Sequence, residues 1–455
     1  LSLAQIAAAT GGRVTDADPA TQATGVAFDS RGVRPGDLFV ALPGEGRDGH
    51  DFAPAAVGAG AVAVLAARPL DLPAVVVEDP LTALGGWARA HVEALADLDV
   101  VALTGSSGKT STKDLVAQVL DRAGATVFTR GSFNNEIGLP LTALEATADT
   151  RHLVVEMGAR GQGHITYLTG ITPPRIGAVL NVGTAHAGEF GGPDMTAKAK
   201  GELVEALPSE AEGGVAVLNA DDPRVAAMSA RTKAEVVTFG VEHSADVYAT
   251  DVTLDGRGRA SFTLHTPTGE APVCLQVVGE HQVPNALAAA AIAGAAGMDV
   301  DQIGRALTAA ESLSEGRMRV TERPDGVTVV NDAYNANTDS TSAALRALAH
   351  LGRGSGGRTI ALLGEMRELG DGSEREHRRV GALAASLGID VLVAVGRAEA
   401  HALADEYGPG GQVVADRAAA GEWLERYDLR AGDVVLVKGA NALRLGELAD
   451  ALAAR

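Results

Sequence analysis

The run Val100-Val-Ala-Leu-Thr-Gly-Ser-Ser-Gly-Lys-Thr110 constrains the fold more than any other part of the chain. Val100 to Leu103 reads as a buried strand, Gly105 to Gly108 as a tight turn, and Thr110 to Leu120 as a helix. A strand that delivers a glycine turn onto a helix N-terminus belongs in a parallel α/β sheet. The same geometry points backbone N–H groups at an anion, with Lys109 able to reach β/γ-phosphates and the Thr110 hydroxyl able to hold Mg²⁺. A full Walker pattern wants glycine where Leu103 stands, so this is a shortened form. The competing reading is a plain glycine turn whose lysine faces solvent. The motif implies a nucleoside triphosphate and leaves its use open.

Strand and helix patterns alternate on both sides of this loop. From about 97 to 312, the short apolar runs Val100–Leu103, Val127–Thr129, Leu153–Glu156, Ile176–Leu180 and Val215–Leu218 are each followed by a helix-like stretch, as in a parallel sheet covered on both faces. Asp246 to Val278 reads as a two-stranded hairpin around Pro267-Thr-Gly269. The runs Val327–Val330, Thr359–Leu363, Val391–Val395, Gln412–Val414 and Asp433–Val437 repeat the alternation. Before the loop lies a Gly/Pro-punctuated set of short strands. The expected architecture is therefore α/β in three domains: a small α/β N-terminal domain over residues 1–80, a central parallel-sheet phosphate-loop domain over 81–312, and a Rossmann-like C-terminal domain over 313–455. Aromatic residues make up 3% of the chain, so the cores must be built from Ala, Val and Leu.

A net charge of −20 argues against a nucleic-acid surface. The single cysteine, Cys274, excludes an internal disulfide framework and reads as strand filler. Leu1-Ser-Leu-Ala-Gln-Ile has no basic or apolar signal region, and the most apolar helical run, Ala286 to Met298, is shorter than the ~20 residues that span a bilayer. The expectation is a cytoplasmic protein without membrane or nucleic-acid partners, monomeric by default.

Candidate chemistry lies just past the strands. Glu156 ends an apolar strand, where it could hold Mg²⁺ directly or through water, or could be a surface carboxylate. His186 follows the strand ending at Leu180; Mg²⁺ prefers oxygen ligands, so a histidine ligand would be unusual. Lys198 and Lys200 lie on one expected helix two residues apart, so at most one points inward. Two exposed lysines is the default; an inward neutral lysine could add CO₂ and become an oxygen ligand. Asn134 and Asn135 could cap a helix or face a substrate, and Asn285 could cap the alanine-rich helix or read a base edge. Arg317 could meet a phosphate and Asp332 could accept from ribose hydroxyls.

These segments, in their order, resemble the Mur ligase family across essentially the whole chain. The carriers are Thr104-Gly-Ser-Ser-Gly-Lys-Thr-Ser-Thr-Lys113, Asn134-Asn-Glu-Ile-Gly-Leu-Pro140, Val155-Glu-Met-Gly158, Ala197-Lys-Ala-Lys-Gly-Glu202, Asn285-Ala-Leu-Ala-Ala-Ala-Ala291, Asn331-Asp-Ala-Tyr-Asn-Ala-Asn337 and Leu363-Gly-Glu-Met-Arg-Glu-Leu-Gly370. Asp29-Ser-Arg31 and the run from Gly36 to Gly44 look like a UDP-sugar-binding N-terminal domain. The resemblance implies ATP and Mg²⁺, with two ions, at Gly105, Ser106, Ser107, Gly108, Lys109, Thr110 and Ser111. It implies Thr110 and Glu156 as metal ligands, and His186 and Lys200 as second-metal residues, with Lys200 carbamylated. Lys109, Lys200 and His186 become the catalytic candidates. Asn285, Arg317, Asp332, Tyr334 and Asn335 become nucleotide contacts, and Asp29, Ser30, Arg31, Asn134 and Asn135 substrate neighbours. The implied reaction is ATP-dependent, ADP-forming addition of D-Ala-D-Ala to UDP-N-acetylmuramoyl-tripeptide (UDP-MurNAc-tripeptide), through an acyl phosphate, in peptidoglycan precursor synthesis.

One departure stands out: the family's usual Lys-Gly-Ser is Lys438-Gly-Ala here. It keeps open a ligase for another amine or acceptor, such as D-Ala-D-lactate or a substrate of secondary metabolism. A phosphate-loop switch would carry a guanine-reading Asn-Lys-x-Asp, which the chain lacks. A folylpolyglutamate-synthase-like ligase would not explain the first 80 residues.

Overall fold

The computed structural model describes residues 1–44, 46–183 and 192–455. Their contacts divide into two compact units, one of Leu1–Ala102, Gly124–Gly158 and Ile165–Arg175, the other of Leu103–Ala123, Ala159–His164 and Ile176–Arg455.

The first unit holds a five-stranded sheet in the order Arg13–Thr15, Ala74–Val76, Ala63–Ala66, Asp37–Val40, Gly25–Ala27, parallel except for its first pair. Asp37–Val40 is buried along its whole length, and its alternate residues feed opposite faces. Leu38 and Val40 pack with Leu3, Ile6 and Trp87, whereas Phe39 packs with Ala53, Ala56 and Val64. Burial on both faces is why these strands read as continuous apolar runs. The unit also pairs Thr126–Phe128 with His152–Glu156 in parallel.

In the second unit, parallel strands run Ile176–Val179, Val215–Asn219, Glu235–Gly240, Val247–Leu254. Two antiparallel strands, Arg259–Thr266 and Gly269–Val278, complete the run. The expected two-stranded hairpin is thus a three-stranded meander. Its first turn is set by Asp255, whose Oδ1 accepts from the N–H groups of Arg257 and Arg259, with Gly258 at φ +72°. Strand alternation turns Val273 and Leu275 inward and leaves Cys274 exposed, so the cysteine is not core filler. The helix Gln282–Ala295 is buried at nearly every position and packs against helix Lys109–Leu120; its small side chains permit the close approach.

A six-stranded sheet closes the second unit, ordered Arg319–Glu322, Thr328–Asp332, Val434–Lys438, Thr359–Gly364, Val391–Val395, Gly411–Val414. All pairs but the first are parallel. Ala361, Leu363 and Leu436 face one core, and Ile360, Leu362, Val435 and Val437 the other. The last strand is inserted between two earlier ones, so Lys438 is in register with both Asp332 and Leu363. That row lies at the carboxyl edge, where open parallel sheets bind ligands.

Candidate active site

Strand Asp99–Thr104 ends where the phosphate loop begins, and helix Lys109–Leu120 starts directly after Gly108. Gly108 has φ +78°, and a Cβ there would stand 2.6 Å from Asn285 Oδ1. Only glycine satisfies both the left-handed backbone and the close approach. Gly108 brings no side-chain cap to this helix, whose N-terminus turns the positive end of its dipole toward the loop. Lys109 folds back, its Nζ 2.8 Å from the Gly105 carbonyl. Thr110 is buried, while Ser107 and Ser111 line a cavity of about 230 Å³.

Asn181, two residues past strand Ile176–Val179, clamps the loop. Its Oδ1 accepts from the N–H groups of Ser106 and Ser107, each at 2.9 Å, and its Nδ2 donates to the Ser107 carbonyl at 3.1 Å. No spacing or motif singles out this residue in the sequence; only the pairing of two strand ends reveals it.

The C-terminal sheet supplies the opposite wall. Arg317 Nη2 donates to Thr110 Oγ1 at 3.2 Å, and its guanidinium lies 4.4 Å over the Tyr334 ring. Asp332 accepts from Met318 N–H at 3.1 Å and from Lys438 Nζ at 2.6 Å; Lys438 also donates to the Asn335 carbonyl at 2.9 Å. Burial lowers the Lys438 pKa, against the pull of Asp332. Asn335 Oδ1 accepts from Ala336 N–H. Asn285 lies inside helix Gln282–Ala295 rather than capping it, and its Nδ2 donates to Gln282 Oε1 at 2.9 Å. Arg317, Asp332 and Asn285 therefore meet around one cavity with Ser107 and Gly108.

Half-buried His281 opens that alanine-rich helix and lines the same cavity. Its pKa is lowered to about 4, chiefly by desolvation; Asp332 pulls it up and Lys438 pushes it down.

Within the first unit, Glu156 is 1% exposed and its Oε1 accepts from Asn134 Nδ2 at 2.7 Å. Asn135 is the helix-capping member of the asparagine pair, accepting from Ile137 and Gly138 N–H. Asp29 accepts from the backbone and guanidinium of Arg31, which lowers its pKa to about 2, and Ser30 opens the short turn between them. On helix Pro193–Glu205, Lys198 is exposed and Lys200 is 3% exposed, the one-inward arrangement that their spacing allows. His186 lies outside the described residues.

A helix N-terminus, a glycine cradle with its lysine, and the facing arginine and carboxylate define a phosphate-loop nucleotide-binding enzyme of the α/β class. The chain belongs to the Mur ligase family. The patterns of that family match at residues 22–99 (Mur ligase family, catalytic domain), 103–293 (Mur ligase middle domain) and 316–441 (Mur ligase, glutamate ligase domain). It is 47% identical to the UDP-N-acetylmuramoyl-tripeptide–D-alanyl-D-alanine ligase of Mycobacterium tuberculosis (strain CDC 1551 / Oshkosh), covering 100% of this chain and 98% of that protein. The crystal structure of MurF from Acinetobacter baumannii superposes with a TM-score of 0.90 at 34% identity, covering 100% of this chain and 99% of the other. MurF from Thermotoga maritima in complex with ADP gives 0.81 at 29%, covering 95% and 97%.

Proposed function

We propose that this chain joins D-Ala-D-Ala to UDP-N-acetylmuramoyl-tripeptide and converts ATP to ADP and phosphate. The observation that carries the reading is the cavity lined by Ser107, Gly108, Arg317 and Asp332, together with the bond from Arg317, beside the C-terminal sheet, to the Thr110 hydroxyl. Full-length similarity to MurF proteins supports the choice of substrates.

The division of labour we infer assigns residues 1–80 to the UDP-sugar, 81–312 to ATP and 313–455 to closing the nucleotide site. The tripeptide carboxylate attacks the γ-phosphorus in line, giving an acyl phosphate and ADP. Lys109 and the helix N-terminus hold the phosphates, and Arg317 balances their charge from the other wall. The dipeptide amine then attacks the acyl carbon and phosphate departs.

Thr110 and Glu156 are each buried and each carry a hard oxygen of the kind Mg²⁺ prefers, and from the family resemblance we infer both as metal ligands. Lys200 is the buried lysine of its helix. Its carbamate would add oxygen ligands for a second ion, a role that the family resemblance also gives to His186. Mg²⁺, when bound, neutralises charge on the transferring phosphoryl group. Among the described residues no helix is long and apolar enough to cross a membrane; we place the protein in the cytoplasm as a monomer.

Phosphate release from ATP, with each substrate omitted in turn, tests the reading. The expected result is release that needs both the nucleotide-sugar tripeptide and D-Ala-D-Ala, with a product heavier by the dipeptide. Release with the tripeptide and a different amine would reassign the acceptor, and the buried Ala440 after Lys438 is where that difference would be sought.

A further inference from the structure

Asp339 is a carboxylate that the scheme above does not use. It lies in the first turn of helix Thr338–Ser355 and lines the same cavity as Ser107, Gly108 and Arg317. Its Oδ2 packs against Gly183. A Cβ added to Gly183 would stand 2.2 Å from that oxygen and 3.4 Å from Ser106 Cβ. A helix following the C-terminal sheet's Asp332 strand thus brings a negative charge to the edge of the phosphate loop.

The cavity's two carboxylates are differently placed. Asp332 has both oxygens engaged, one by Met318 N–H and one by Lys438. Asp339 is exposed and faces the space beside the loop. A carboxylate held there repels nucleotide phosphates unless a cation stands between them. Lys109 and Arg317 already serve the phosphates. With the divalent cations assigned above to Thr110, Glu156 and Lys200, the remaining cation that the proposed reaction brings is the ammonium group of the incoming amine, a point charge with three donors that one carboxylate can meet.

We propose that Asp339 receives the ammonium group of the amine substrate and takes its proton. The proposal rests on the ligase reading above. The ammonium gives one proton to Asp339 and exposes its lone pair. The C–N bond forms at the acyl carbon. The second proton leaves to water as the C–O bond to phosphate breaks, its electron pair departing with phosphate.

The test is Asp339→Asn in the full chain, with Asp339→Ser as a second variant should the first fold poorly. Phosphate release is followed against D-Ala-D-Ala, ATP and Mg²⁺ separately. Loss of a charge-assisted hydrogen bond should raise the dipeptide KM by roughly 10–100-fold. The KM for ATP and the Mg²⁺ half-saturation should stay within about twofold. An unchanged dipeptide KM overturns the proposal. A raised Mg²⁺ requirement with an unchanged dipeptide KM also overturns it and assigns Asp339 to a metal. If the unmodified protein releases no phosphate with the dipeptide, the ligase reading itself fails and takes this proposal with it.

Discussion

Arg317 donates from Nη2 to the Thr110 hydroxyl at 3.2 Å, linking residues 207 positions apart in the chain. The contact ties the wall formed around the C-terminal sheet to the first helical turn of the phosphate loop, and Tyr334 supports the guanidinium from below.

Arg317→Lys should therefore be costly despite keeping the charge. An ammonium cannot both stack on a ring and present a planar fork. The expected outcome is a fall of roughly 10–100-fold in kcat/KM for ATP, with little change in melting temperature. Phosphate-release kinetics beside a thermal scan check it; wild-type kinetics would show that the contact is idle in turnover.

Asn181→Ala removes the side-chain hydrogen bonds to Ser106 and Ser107 and leaves only the one from Ser106 N–H to the residue-181 carbonyl. Loop amides then lose their preset direction. Nucleotide affinity should drop by about tenfold or more, and stability by about 1–3 kcal/mol. Asn181→Asp keeps the acceptor but sets a negative charge beside the phosphates, so it should bind ATP more weakly still. Isothermal titration with ATP and with ADP separates the two variants.

Glu156→Gln should raise the Mg²⁺ concentration for half-maximal activity by about tenfold, because a neutral amide is a poorer ligand for a hard cation. Asn134→Ala, which removes the 2.7 Å hydrogen bond to the Glu156 carboxylate, should shift it less. Magnesium titrations at fixed ATP provide the comparison. Equal shifts would mean that orientation of the carboxylate matters as much as its charge.

Acid should weaken the fold through His281. Its folded pKa of about 4 lies below the ordinary 6.5, so the unfolded chain binds a proton that the folded one refuses. Stability contributed by the neutral ring is full above about 6.5, falls as pH drops through that window, and levels off below about 4, a loss on the order of 2–3 kcal/mol. His281→Gln should flatten this part of the curve. Urea melts at a series of pH values measure it; parallel curves for both proteins would rule out this histidine as the cause.

Much of this architecture is legible in the chain because it is written locally. The strand before Gly105, the glycine at 108 and the helix after it are neighbours in sequence, and the doubly buried strands show as apolar runs. Lys200 was half legible: helical spacing shows that at most one of two lysines turns inward, but only packing shows which. Asn181 and Asp339 are single polar residues that become meaningful when strand ends and a helix start converge from distant segments. The meander reads as a hairpin in the sequence because Asp255-Gly-Arg-Gly258 is punctuated by charge as well as by glycine, and its first strand, Val247–Leu254, is exposed at half its positions.

The buried Asp332–Lys438 pair bears on how the protein comes into being. The loop after Asp332 is held by a lysine on the last strand of the chain, 106 residues later, through a side-chain bond and through the Asn335 carbonyl. Chains emerge from the ribosome N-terminus first. A nascent chain can therefore assemble its phosphate loop well before Lys438 exists, yet the opposite wall stays unfinished until that strand slots between its two older neighbours. A protein stalled or clipped before residue 438 would carry an ATP cradle without the wall that makes it productive.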